Sequence, residues 1–310
     1  MRLLLSFNLS FTIFWASAQT VEAEIDSSFY YEFNSLKGTH EKVVTLDFVH
    51  NTIFSEPIGE ATVREMLRIT KEDGFRLNRL RSGISRNRLD SLETNILIIH
   101  GPVQTRNNLE KDSIRANVWI SPFSNTEITE LSSWIFQGGS LYLFVSHHPN
   151  GGGANNLLDA LGINYRHGAV GNEDKTCGHY YMNVNNRLVN SSHPIFKSNY
   201  NINWDGFKFL CGSGVFREDS DVILKFPESS INFSYSPSGQ KSKEVSSAYA
   251  GMIGFEYGLG RVIICTDQGI FRSLNIFPEG QEMAKVTIHD KEADNAALYL
   301  MTLRWLAKLF

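Results

Sequence analysis

A strong excess of charge of one sign is missing from this chain: 29 Lys and Arg against 33 Asp and Glu leave a net charge of −4 over 310 residues. A nucleic-acid surface shows itself as Lys and Arg clustered on a basic domain, so that partner class is excluded. One basic cluster exists, Arg76, Arg79, Arg81, Arg86 and Arg88, and its spacing reads as a solvated strand edge and loop. Cysteine is scarce. Three residues, Cys177, Cys211 and Cys265, with no Cys-x-x-Cys, exclude a zinc ribbon or a dithiol redox motif. Cys177 and Cys211 lie in polar, Gly-rich surroundings where they could pair. Cys265 sits inside an apolar run and reads as a small buried hydrophobe. No apolar stretch reaches the roughly 20 residues that a membrane helix needs. Internal repeats and low-complexity tracts are absent.

What is present starts at the amino terminus. Met1-Arg2 supplies a positive charge, Leu3 to Trp15 is mostly apolar, and Ala16-Ser17-Ala18 offers small residues for cleavage. This is the pattern of a secretory signal peptide over residues 1–18, so the expectation is an exported protein, periplasmic or extracellular, with no other membrane attachment. A polar leader, 19–42, then precedes one domain, 43–310.

Within that domain, apolar β-branched runs alternate with helical periods. Val43 to Phe48, Asn95 to His100 and Leu141 to Val145 read as strands buried on both faces, and Phe75 to Leu80 as a strand with one solvated face. Between them, Ile58 to Asp73 has helical spacing and stops at Gly74. Ser124 to Glu127 is a capping box opening a helix that Gly138-Gly139 closes. Strands alternating with helices predict an α/β fold with a doubly wound, mostly parallel sheet. Residues 168–249 lose this rhythm and read as an antiparallel β excursion. Ala250 to Thr266 reads as a hairpin returning to the sheet, and Glu292 to Leu309 as a closing helix.

In such sheets, ligands bind beyond the carboxyl ends of the strands. Those ends carry Asp47 and His50, His100, Ser146-His147-His148, and Asp267. Imidazoles and carboxylates on one rim suit a divalent metal or acid-base chemistry. They also serve simply to cap loop backbone. The candidate ligand-binding set is Asp47, His50, Ser146, His147, His148 and Asp267. A metal-assisted hydrolase would hold zinc through His50, His147 or His148 and Asp267 or Asp47. Ser146 is flanked by Val145 and His147, so the Gly-x-Ser-x-Gly elbow of serine hydrolases is missing.

Two motifs carry a resemblance. Asp47-Phe48-Val49-His50 is similar to an Asp-Glu-Ala-His strand end, and Ser146-His147-His148-Pro149 to Asp-His-Met-Pro. The helix Asn155 to Leu161 with Gly162, the pair Gly212-Ser213, and Gly260-Arg261-Val262 leading to Asp267 fit the same pattern. Together they resemble the exported bacterial proteins grouped as domain of unknown function 4350, in the class I glutamine-amidotransferase-like superfamily. The resemblance implies a flavodoxin-like fold and no particular reaction. The amidotransferase cysteine has no counterpart here, which argues against thiol-based glutamine hydrolysis. Loss of two motif acids argues against a carboxylate-rich metal site. The leading expectation is a domain that binds a small polar ligand, carbohydrate or peptide, without a cysteine nucleophile. The alternatives are the metal-assisted hydrolase and a structural interaction domain using the aromatic-rich stretch Tyr180 to Phe233.

Overall fold

Runs such as Ile96-Leu97-Ile98-Ile99 have no polar face to offer water, so they are stable only where both sides of a strand are covered. The computed structural model describes residues 21–25, 28–102, 121–147, 150–166, 168–172, 178–197, 204–235, 241–245, 250–278 and 287–310. Strand β1 (Val21–Ile25) comes first, then β2 (Val43–Asp47), β3 (Arg76–Leu80), β4 (Ile96–His100) and β5 (Ser140–Phe144). After β6 (Asn164–Arg166), the excursion holds β7 (Gly168–Gly171), β8 (His179–Met182), β9 (Phe207–Leu210), β10 (Gly214–Phe216), β11 (Val222–Lys225), β12 (Ile231–Tyr235) and β13 (Lys241–Val245). The hairpin β14 (Ala250–Tyr257) and β15 (Gly260–Cys265) follows, with β16 (Leu274–Pro278) after it.

The central sheet runs β3-β2-β4-β5-β15-β14-β10-β6, with β11 also on β14. Its first five strands are parallel, in registers such as Thr45 opposite Asn78 and Leu97, and Ile98 opposite Tyr142. Antiparallel β14 then reverses the direction. This is the mostly parallel, doubly wound α/β arrangement expected.

Side chains alternate across the sheet and build two apolar layers. Leu46, Ile98, Phe144 and Cys265 join one layer with Met66, Ile69 and the closing helix. Leu97, Ile99, Leu143 and Ile264 join the other with Leu131, Trp134, Leu157 and Leu158. Each fully buried aliphatic side chain contributes roughly 1.5–3 kcal/mol of transfer free energy.

Three elements differ from the sequence expectation. The helix over 58–73 is two pieces, Gly59–Thr62 and Arg64–Glu72. They part at Val63 because Ser273, on the loop after β15, intercepts both sides of the break. Its N–H donates to the Thr62 carbonyl (2.6 Å), and its hydroxyl accepts from Glu65 N–H (3.0 Å). The closing helix is shorter, Asn295–Leu306, and every one of its residues is buried. The excursion is less separate than its composition suggests, since β10 and β11 are strands of the central sheet. The leader packs on the domain: Phe29, Tyr31 and Phe33 lie on the first layer, and Glu65 and Asp73 accept backbone N–H groups of Tyr31 and Leu36. The arginine cluster is a solvated edge as read, with exposed pairs Arg76–Glu93, Arg79–Glu60 and Arg86–Asp90.

Candidate functional site

The polar strand ends do not form one constellation, because strand alternation sends them to opposite faces. Asp47 follows Leu46 and so points to the second layer. Its Oδ1 accepts from Val49 N–H at 2.8 Å and its Oδ2 meets His50 Nδ1 at 2.8 Å. His50 Nε2 meets Glu127 Oε1 at 3.0 Å, and the ring stacks on Phe123 at 4.5 Å. An imidazole between two carboxylates donates from both nitrogens, so the cationic form fits. Burial opposes that charge, but the hydrogen bonds and charges of Asp47 and then Glu127 outweigh it and raise the His50 pKa. Burial likewise pushes Glu127 up, yet the Ser124 N–H, His50, the Ser124 hydroxyl and Ile84 N–H together draw it down to about 2. The capping box thus has a second use. Glu127 caps its own helix and also clamps His50.

The other face holds His100 and Asp267. His100 is fully buried, stacked on Phe144 (4.4 Å) and edge-on to Phe54, and among the described residues neither ring nitrogen has a hydrogen-bond partner of good geometry. Asp267 ties backbone together: Oδ2 accepts from Leu210 N–H (2.7 Å) and Oδ1 from Gly269 N–H (2.6 Å). Burial lifts its pKa to about 7 against those bonds and the nearby Arg272 charge.

Between the faces, at the rim, is Ser146. Its hydroxyl accepts from Gln268 Nε2 (3.0 Å), and its carbonyl accepts from the Tyr165 hydroxyl (3.2 Å). Two glycines make this closeness feasible. Gly101 has φ of +68°, and a Cβ there would collide with Gln268 Oε1; a Cβ on Gly151 would collide with the Ser146 carbonyl and the Tyr165 hydroxyl. Among the described residues no imidazole bonds the Ser146 hydroxyl. His147 is partly exposed beside Ser146, and its carbonyl accepts from Gly151 N–H (3.2 Å). His148 lies outside the described residues.

Of the six candidates, then, Asp47 and His50 are joined, Ser146 and His147 are neighbours at the rim, and Asp267 is engaged by backbone amides. The metal set His50, His147 and Asp267 is not brought together; among the described residues no three His, Cys, Asp or Glu side chains are grouped to hold an ion. Cys211 is disulfide-bonded and Cys265 is free and buried, while Cys177 lies outside the described residues. No described helix is long and apolar enough to cross a membrane. Glu127 as a partner of His50, and Tyr165 and Arg272, were not legible as site residues in the sequence; Glu127 carried a signal, as the fourth residue of its capping box, and Gln268 stood at the end of its strand.

No family model and no curated protein matches the chain. Solved structures do. The structure described as mmIFT52 N-terminal domain aligns with TM-score 0.54 and 13% identity, over 85% of this chain and 97% of that one. The two chains share a fold. At this identity the likeness extends to the fold alone. Further neighbours are a ThuA-like protein from Bacteroides uniformis (TM-score 0.43, 13% identity, 89% of this chain and 95% of that one) and one from Parabacteroides merdae (0.41, 10%, 86% and 90%). ThuA-like proteins have the class I glutamine-amidotransferase-like fold.

Proposed function

We propose that this chain is an exported amidotransferase-like binding domain, of the kind grouped as domain of unknown function 4350, which holds a small polar ligand such as a carbohydrate or peptide at the carboxyl edge of its sheet. The observation that carries the reading is the contact of Gln268 with Ser146, framed by Gly101 and Gly151. A primary amide and a hydroxyl at a strand-end crevice offer donors and acceptors without a charge, the groups that recognise sugar hydroxyls and peptide bonds. The missing cysteine nucleophile favours binding over thiol-based acyl transfer. Export rests on the opening pattern, Met1 to Ala18.

The test is a thermal-shift and calorimetric screen of the purified protein against monosaccharides, oligosaccharides and short peptides. A hit should weaken at least about tenfold in Gln268→Ala and Ser146→Ala, the loss of one or two good hydrogen bonds. A panel without any hit, or a hit indifferent to both substitutions, would remove the reading. A zinc-dependent hydrolase at the same rim would need His50 released from both carboxylates. Near-stoichiometric zinc lost in His50→Ala and His147→Ala would favour it instead.

A further inference from the structure

We infer that His100 and Arg272 form the floor of a subsite for a small oxyanion, the carboxylate or phosphate group of the ligand that the rim receives. The inference rests on the rim reading and gives that ligand a charge.

Two neighbouring groups carry it. His100 ends β4 fully buried, and among the described residues neither ring nitrogen has a hydrogen-bond partner of good geometry. Arg272 follows β15 on the same side of the sheet, directly after Phe271, whose ring meets Phe144 edge-on at 5.8 Å while His100 stacks on that same Phe144. The Arg272 Nε is shut off from solvent and, among the described residues, unbonded, although part of the side chain reaches the surface. Buried polar groups are normally bonded, and each exception asks for an explanation. Here the two exceptions, close enough for the Arg272 charge to act on the imidazole, are both capable of donating.

The surrounding charges do not settle Arg272. Asp267 is one candidate, but its two oxygens already accept backbone amides and its carboxyl is raised to about 7, so its negative charge is incomplete at neutral pH. The charge of Glu56, and after it that of Asp267, favours the guanidinium cation, but burial outweighs both carboxylates and lowers the Arg272 pKa. The same burial, followed by the Arg272 charge, holds His100 neutral, down to about 3. A neutral imidazole keeps one N–H donor. A guanidinium fork beside it matches the planar, bidentate geometry of carboxylate or phosphate. The position is right as well. Gly101 follows His100 and is pressed against Gln268, so the subsite adjoins the Ser146–Gln268 contact at the crevice.

The experiment is a titration of the full chain with inorganic phosphate, with succinate and with uncharged erythritol, read by calorimetry, thermal midpoint and the His100 ring resonances. Phosphate or succinate should raise the midpoint and shift the His100 signals, and erythritol should do neither. Response to one anion alone identifies the group; response to both indicates a general oxyanion subsite. Arg272→Gln should weaken binding at least about tenfold. Without anion it should be as stable as the parent or more so, because it removes an uncompensated buried cation; a structural arginine would give the opposite. His100→Phe keeps the stack on Phe144 and should also weaken binding. If Arg272→Gln does not fold, Arg272→Lys, which keeps the charge and loses the fork, should bind several-fold more weakly. No response of the parent to either anion, or variants that bind as it does, would overturn the inference. A neutral hit dependent on Ser146 and Gln268 alongside anion silence would sink the subsite alone. Anion binding dependent on Arg272 with Ser146 and Gln268 immaterial would instead sink the rim reading.

Discussion

Replacing Glu127 by Gln keeps the helix cap nearly isosteric and removes one of the two charges that hold His50. Glu127 is drawn from its ordinary 4.5 to about 2, and at about 1.4 kcal/mol per unit this corresponds to roughly 3 kcal/mol. The carboxylate is only partly buried, so solvent screening reduces the expected loss to about 1–2 kcal/mol. The sign follows from linkage. A depressed carboxyl stabilises the fold above its unfolded value, and that contribution is lost as pH falls from 4.5 through about 2. His50 behaves oppositely. Its raised pKa stabilises below the ordinary 6.5 and is lost as pH rises through the folded value. The gap between parent and Glu127→Gln should therefore be widest between about 4.5 and 6.5 and shrink on either side. Urea unfolding of both proteins at acidic, mid-range and alkaline pH, followed by tryptophan fluorescence, measures it. A gap of constant size across that range would refute the clamp as an electrostatic device and leave Glu127 as a cap only.

Other outcomes follow from buried groups. Arg304 is 2% exposed and holds Asp73 with two hydrogen bonds, at 2.9 and 2.6 Å, while reaching the Asn34 carbonyl; Arg304→Met should cost about 3–5 kcal/mol, and Arg304→Met with Asp73→Leu clearly less, as read by a double-mutant cycle. The Cys265 thiol is fully buried and pushed well up by burial, so it should resist alkylation in the native protein and react at the unfolding rate in denaturant. Asp267, lifted to about 7, should show a protonated-carboxyl infrared band that fades as pH rises through neutrality and is absent in Asp267→Asn.

The parallel strands were legible because burial on both faces leaves uninterrupted apolar runs, and no other element writes Ile96-Leu97-Ile98-Ile99 so plainly. Local stops were legible too. Gly74 and Gly162 take positive φ, +104° and +73°, where the sequence placed helix ends. What escaped was long-range. The Val63 break depends on Ser273, 208 residues from Glu65, and the closing helix can bury Arg304 only because Asp73, 231 residues away, meets it. The site was half legible for the same reason. Strand-end positions located the rim, but which face each side chain takes depends on register parity, and the His50 partner Glu127 lies 77 residues on. A count of polar residues at strand ends therefore overstates convergence.

That parity has a testable consequence, because the sheet separates a saturated face from an unsaturated one. On the first, Asp47, His50 and Glu127 use up each other's hydrogen-bonding capacity, so His50→Gln should lower stability by about 1–2 kcal/mol while leaving rim binding unchanged. On the second, His100 and Arg272 have capacity left over, and Gln268 has one partner in Ser146. Gln268→Ala should barely move the thermal midpoint, since a partly exposed single hydrogen bond is worth about 1 kcal/mol or less, yet should weaken any ligand of the rim. Measuring midpoint and binding side by side on these two variants decides whether the faces divide the work. If His50→Gln loses ligand as well, the clamp is part of the site after all, and the six strand-end residues act as one constellation across the sheet edge.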